Sequence, residues 1–188
     1  MSTARRLHHS YEDYLQLLAS SDAKLEYWDG EIFAMAGGTP AHAELSVAIT
    51  SLLRGALGGC RVYSSDLKVH VEATGLSTFP DGTVVCDELR ATAFDRNAIT
   101  NPAIVVEVTS RSTEDYDRGE KLSHYKQIPS LRAALIVSHR RPQITAIVRT
   151  ASGFEVREAR SGECLRLDSP ALTLATDDVY ARIALEAE

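Results

Sequence analysis

The sequence predicts a mixed α/β fold: a central sheet flanked by helices, preceded by an N-terminal helix and a β-hairpin. Four stretches predict it. Residues 103–108 (AIVVEV) and 131–139 (LRAALIVSH) are almost continuously apolar, as strands covered on both faces are. The segment between them, 114–127, reads as a helix, so a right-handed crossover would make the two strands parallel neighbours. Near the N-terminus, Asp29-Gly30 divides two β-prone runs in LEYWDGEIFAM, the strongest short hairpin signal there is.

The remaining elements follow from local signals. YEDYLQLL (11–18) carries Tyr11, Tyr14, Leu15 and Leu18 at helical spacing. Thr39-Pro40 opens a second helix, with Thr39 as its cap and Pro40 at the first helical position. Its apolar face is Leu45, Ile49, Leu52, Leu53 and Ala56, and Gly58-Gly59 ends it. RVYSS (61–65) and LKVHVE (67–72) read as strands, the second with Leu67, Val69 and Val71 on one face. TFPDGTVVCD is an extended piece entered through Pro80, and QITAIVRT (143–150) alternates Ile144, Ala146 and Val148. For the 114–127 helix, Ser112-Thr113 is the start signal and Pro129 the stop. No repeat, low-complexity stretch or dividing linker interrupts the chain, so residues 1–188 are expected to form one domain.

The chain is 44% hydrophobic and 24% charged, enough for a core that buries roughly 70% of the surface its unfolded form exposes. Its net charge of −6 argues mildly against a nucleic-acid partner, which usually demands a basic face. Two local basic clusters stand against that balance: His139-Arg140-Arg141, and Arg118 with Lys121 and Lys126. The three cysteines, Cys60, Cys86 and Cys164, are odd in number and form no CxxC pair, which suggests a reducing compartment rather than a disulfide framework. The N-terminus lacks the apolar core of a signal peptide, and no run approaches the ~20 apolar residues that span a bilayer. The expectation is a cytoplasmic protein with no membrane partner.

Glu107 is the anomaly. An ionised carboxylate inside AIVVEV costs several kcal/mol unless a cation meets it. Asp81, in Phe79-Pro80-Asp81-Gly82, lies 26 positions earlier at the opening of a short strand, a separation that suits adjacent strands. If their ends are level the two carboxylates converge, and they then repel unless they share a proton or a divalent cation. Ligation by oxygen alone suits Mg²⁺ or Mn²⁺ rather than zinc. Lys121, on the following helix, can lean over the strand end; Asp117, Lys121 and Tyr125 share one helical face at four-residue spacing. Gly119 weakens that helix by about 1 kcal/mol relative to Ala and suggests a close approach.

Pro-Asp followed by an acid in an apolar strand resembles the PD-(D/E)XK nuclease superfamily, with its restriction-endonuclease-like fold. The usual lysine position, two beyond Glu107, is Thr109 here. The chain is similar instead to a bacterial branch, long filed as a domain of unknown function, in which the lysine has migrated to the following helix. The similarity runs through LEYWDGEIFAMAG, TPAH, YSSDLKV, PDGTVVCD, VVEVTSRST, YDRGEKLSHYKQIPSLRAALIV and RPQI in order. It implies an endonuclease acting on DNA, a Mg²⁺ or Mn²⁺ site at Asp81 and Glu107, and Lys121 as the catalytic lysine. It also implies a homodimer, because two strands need two centres. Lesser candidates are Glu26 as a further metal carboxylate, the Val108 backbone carbonyl as a ligand, His42 as a hydrogen-bonding or phosphate-contacting group, and Tyr125.

Each residue also has an ordinary reading. Asp81 is a turn residue, Lys121 a solvated helix lysine, Glu26 an exposed strand residue across from Glu31 or Lys24, His42 a helix-start histidine, and Tyr125 core packing. Two rival functions accompany them. One is a binding module for nucleic acid or protein that kept the fold without turnover; the other is a metal-free acid–base enzyme using Glu107.

Overall fold

The two apolar runs do form adjacent parallel strands in a computed structural model of the chain, which describes residues 8–35, 37–111 and 113–185. Helix α1 (Tyr11–Ser20) starts on a reciprocal cap between Ser10 and Asp13 and leads into strands β1 (Leu25–Trp28) and β2 (Glu31–Ala34). Asp29 and Gly30 join these strands with φ of 48° and 79°, the left-handed pair that a two-residue hairpin of this twist requires.

Helix α2 (Pro40–Ala56) begins as expected, with the Thr39 hydroxyl accepting from His42 N, and it buries Leu45, Ile49 and Leu53. Next come β3 (Arg61–Ser64), β4 (Lys68–Val71), β5 (Leu76–Thr78), β6 (Gly82–Val85), β7 (Ala98–Ile99) and β8 (Ile104–Val108). After the crossover follow β9 (Ala133–Val137), β10 (Gln143–Thr150), β11 (Gly153–Arg160), β12 (Cys164–Asp168), β13 (Ala171–Ala175) and a last helix, α5 (Thr176–Tyr180).

The mixed α/β architecture is as expected, and among the described residues its strands form two large sheets and the β12–β13 pair. A six-stranded sheet runs β11-β10-β9-β8-β6-β3, and a five-stranded sheet runs β2-β1-β5-β4-β7. Between them lies one core, built from Val85, Val105, Ala134 and Ile136 on one side and Val69, Val71 and Leu76 on the other. The opposite face of the six-stranded sheet (Val84, Ile104, Val106, Leu135, Val137) packs on α2, the β12–β13 pair and α5. Burial on both faces explains why β8 and β9 read as unbroken apolar runs, each such side chain contributing roughly 1.5–3 kcal/mol.

The crossover is helical from Glu114 to Tyr125 as expected, but not purely α: α3 (Glu114–Tyr116) and α4 (Leu122–Tyr125) flank a π-helical segment at Asp117–Lys121. Other expectations are corrected. Gly119 lies inside that segment, but a methyl group there would meet nothing within 4 Å, so it serves no close approach. Of the start signal, Ser112 lies outside the described residues, and Thr113 makes no side-chain cap. The cysteine reading fails for two of the three. Register in the β3–β6 pair sets Arg61 against Val85, which puts Cys60 opposite Cys86, and these two form a disulfide, leaving Cys164 free. No helix among the described residues is long and apolar enough to cross a membrane.

Candidate active site

Alternation along β8 sends Val106 and Val108 toward α2 and sends Val105 and Glu107 the other way, between the two sheets. Glu107 is therefore 4% exposed, paired in register with Ile136. Strand β6 runs antiparallel to β8 with Gly82 opposite Val106, so Asp81 falls beside the end of β8. Its Oδ2 accepts a hydrogen bond of 2.8 Å from Val108 N. Gly82 has a reason to be glycine, since a Cβ there would lie 2.7 Å from the Thr50 methyl of α2. The level strand ends that the sequence required are present.

Lys121 reaches the same place from the π-helical segment, which widens the turn and carries this side chain inward. Its ammonium lies 3.0 Å from Glu107 Oε1, 3.2 Å from Glu26 Oε1 and 3.8 Å from Asp117 Oδ1. Tyr125, one turn further on in α4, donates to Glu107 Oε1 at 2.5 Å. Glu26 comes from β1, where it is buried rather than exposed, and it accepts from the Thr78 hydroxyl of β5. Thus Glu26, Glu107, Lys121 and Tyr125 are in direct contact, and the ordinary surface readings of Glu26 and Lys121 are overturned by burial.

His42 stands on the outer side of Asp81, with Nε2 3.3 Å from Asp81 Oδ2. That hydrogen bond raises its pKa above the usual imidazole value against the opposing effect of burial, and a bond to the Val108 backbone adds to the rise. A groove of about 510 Å³ opens here, lined among others by Lys24, His42, Ser46, Ser65 and Asp81. Of the candidate residues, His42 and Asp81 line it.

The electrostatics follow from burial and from an excess of acids. Burial pushes the Glu107 carboxyl up to about 8; Lys121 lowers it, while Asp81 and Asp117 oppose the lysine. Asp117 is raised for the same first cause, burial. Burial alone would discharge Lys121, yet Glu107, Glu26 and Asp117 together hold its ammonium above the ordinary lysine value. Tyr125 is raised well above the phenol range by burial and by Glu107, so it acts as a donor only. Sequence spacing singled out Asp117, but nothing in the sequence signalled Thr78, whose partner lies 52 positions away.

The donor set fits a hard divalent cation. It consists of carboxylates in surplus over one ammonium, with no sulfur, and the Val108 N–H binds Asp81 at the end of β8. Among the described residues, no three His, Cys, Asp or Glu side chains form a complete cage. Mg²⁺ commonly needs none, because it keeps several waters and takes one or two carboxylates plus substrate phosphate.

Known proteins are similar over most of the length. An uncharacterized protein of Synechocystis sp., slr1290, is 37% identical over 180 residues, covering 93% of each chain. A second from the same organism, sll1609, is 29% identical over 127 residues, 66% of this chain and 72% of its own. A crystal structure from Anabaena variabilis, described as a putative nuclease belonging to DUF820, superimposes with a TM-score of 0.75 at 14% identity. It covers 92% of this chain and 98% of its own, and at that identity it speaks for the fold alone, a restriction-endonuclease-like one. Residues 11–176 match the Uma2 family, described as "Putative restriction endonuclease", and the chain belongs to that family.

Proposed function

We propose that this chain is a divalent-metal-dependent endonuclease that hydrolyses phosphodiester bonds in DNA, with Asp81 and Glu107 holding Mg²⁺ or Mn²⁺ and Lys121 as the catalytic lysine. One observation carries the reading: a buried ammonium outnumbered by carboxylates at the end of β8, where Val108 N binds Asp81, a residue that also lines the groove. Stored negative charge of this kind is costly in a structural core and useful where a cation and a phosphate must meet.

The bound metal would polarise the phosphate and make an attacking water more acidic. The chain's own residues do the rest. In the reaction the water oxygen bonds to phosphorus, the bond from phosphorus to the leaving oxygen breaks, the water gives up a proton and the leaving oxygen gains one. Lys121, held as a cation by its three carboxylates, cannot serve as a base; it neutralises charge growing on the phosphate or holds the water in line. Tyr125 and Lys121 both bind Oε1 of Glu107 and so fix that carboxylate's rotation. Glu26 and Asp117 hold the ammonium from the far side. His42 orients Asp81 and faces the groove through which a phosphate would enter.

A homodimer, giving two centres for two strands, belongs to this reading, as does a cytoplasmic location. The Cys60–Cys86 bond runs against the reducing compartment suggested by the cysteine count. Replacing Glu107 by Gln tests the proposal: Mg²⁺- or Mn²⁺-dependent cleavage of DNA should disappear from a protein that still folds. Cleavage that survives the change refutes the assignment.

A further inference from the structure

At the exits of β8 and β9, beside the candidate centre, Arg118 and Arg140, 22 positions apart, meet on one carboxylate, and Arg141 adjoins the second in sequence. Thr109 and His139 join the two exits through a hydrogen bond of 2.8 Å between Oγ1 and Nδ1. Arg140 follows that histidine, and Arg118 lies three positions before Lys121 in the π-helical segment. One carboxylate holds both: Arg118 Nε donates to Glu114 Oε1 at 3.2 Å, and Arg140 Nε donates to Glu114 Oε2 at 3.0 Å. Arg141 is pinned in the same manner, its Nε donating to Gln143 Oε1 at 2.9 Å.

The pattern is informative because of the atom used. A guanidinium binds a phosphate through its planar fork of N–H groups, and tying down Nε fixes the plane while leaving the terminal nitrogens to a ligand. Among the described residues, the terminal nitrogens of these three arginines make no hydrogen bond within the chain. Two guanidiniums seated on the two oxygens of one carboxylate leave a surplus positive charge, and Arg141 adds another. Asp115 and Glu120 are exposed acids nearby in sequence, yet neither pairs with these arginines. For a chain of net charge −6, this is a local exception in search of an anion.

We propose that Arg118 and Arg140, oriented by Glu114 and extended by Arg141, form an anchor for DNA backbone phosphates flanking the one to be cleaved. The proposal rests on the nuclease reading and gives its substrate a place on the surface. Bidentate contacts of this sort fix register without reading sequence, so the anchor serves affinity and positioning alone. It also reconciles an acidic protein with a polyanionic partner, because the positive charge is concentrated where the strand passes.

The experiment is fluorescence anisotropy of a labelled DNA duplex with the full chain in EDTA, titrated at several salt concentrations. The double variant R118Q/R140Q should bind at least tenfold more weakly, and the slope of log K against log salt should flatten by about 2, each phosphate contact accounting for ~0.9. R118K/R140K should keep most of the slope, since the charges remain, while losing affinity with the forks. The anchor is overturned if R118Q/R140Q, folded by circular dichroism, binds DNA with unchanged affinity and slope; loss of metal-dependent cleavage in E107Q would leave the nuclease reading standing in that event. No DNA binding by the wild type, or arginine-dependent binding confined to RNA, also overturns it.

Discussion

Lys68 and Lys121 are both buried side chains, and carboxylates meet both, yet the two surroundings differ in charge. Lys68, on β4, faces a single acid: its ammonium lies 2.6 Å from Asp95 Oδ2. Tyr11 completes that acid's bonds by donating to Oδ2 at 3.0 Å, the Ser77 hydroxyl links Tyr11 to His70, and the Tyr14 ring covers the ammonium at 5.1 Å. One positive charge meets one negative, with neutral hydroxyl groups and a ring around them. Lys121 meets Glu107, Glu26 and Asp117 at once, with Asp81 close behind. The first arrangement is complete within the chain. The second carries a surplus of acid that only a proton or an outside cation can balance.

The pKa directions express the same difference. Burial raises Asp95, but Lys68 and its other donors more than offset this and leave it below the ordinary carboxylate value. Around Glu107 burial wins, because one lysine is shared among several acids. A balanced pair is what a fold uses to hold itself; an unbalanced cluster is what a site uses to hold something else.

The largest expected effect separates the two lysines. Lys68→Met leaves Asp95 buried without its cation and should cost about 3–5 kcal/mol of stability. For a chain of this length that is a fall in Tm of roughly 6–20 °C. The folded fraction should keep its cleavage rate. Lys121→Met should do the reverse, lowering kcat about 10²–10³-fold, the usual loss when one charge-stabilising donor goes. Its stability should fall less, because the surrounding acids can take up protons. Thermal melts beside single-turnover cleavage assays decide this; equal destabilisation by both variants, with no rate difference, would erase the distinction.

A second expectation uses the metal itself. Mn²⁺ binding only the folded chain stabilises it by about 2.7 kcal/mol at one hundred times its dissociation constant. The wild type and Lys68→Met should therefore gain Tm with Mn²⁺, whereas Glu107→Gln should gain little. Differential scanning calorimetry with and without EDTA measures it. If Glu107→Gln shifts as far as the wild type, the ion binds elsewhere.

How far these two regions could be read from sequence differs in a telling way. Strand β8, the crossover and the neighbouring β9 were legible because burial on two faces leaves an unbroken apolar run, and within it Glu107 stood out by contrast. Asp29-Gly30 and Thr39-Pro40 were legible because each local conformation demands its residue type. Lys68 and His70 were not. Alternation along β4 suggests a solvated polar face, but α1 covers that face, and Asp95 is supplied from a loop 27 positions later. Glu26 failed for the same reason, its partner Lys121 lying 95 positions away. Periodicity reports whether a face is covered only when the residues on it are apolar; a buried polar pair looks like surface until its partner is known. The split into two sheets and the Cys60–Cys86 pairing depend on strand register, which residue spacing alone left open.

The smallest expected effect is the pH dependence of stability in the absence of metal. Asp95 has its folded pKa lowered, so its contribution is present above the ordinary carboxylate value and is lost as pH falls through the folded one. Glu107 is raised to about 8, so its contribution is full below the ordinary value and is lost as pH rises toward 8. One proton corresponds to a slope of at most about 1.4 kcal/mol per pH unit. Asp117, raised by burial, and His42, raised by Asp81, add slopes of the same sign as Glu107. Lys121 stays charged throughout this range and adds none. Melts in EDTA between pH 5 and 8 should therefore show wild-type stability declining as pH rises. Glu107→Gln, which cannot ionise, should decline less steeply because only Asp117 and His42 remain. Lys68→Met should lower stability most near neutrality and remove the loss that the wild type shows at acid pH, because burial alone then raises Asp95. An unaltered slope in Glu107→Gln would mean that Glu107 is already ionised at pH 5 and that the cluster around Lys121 is balanced after all.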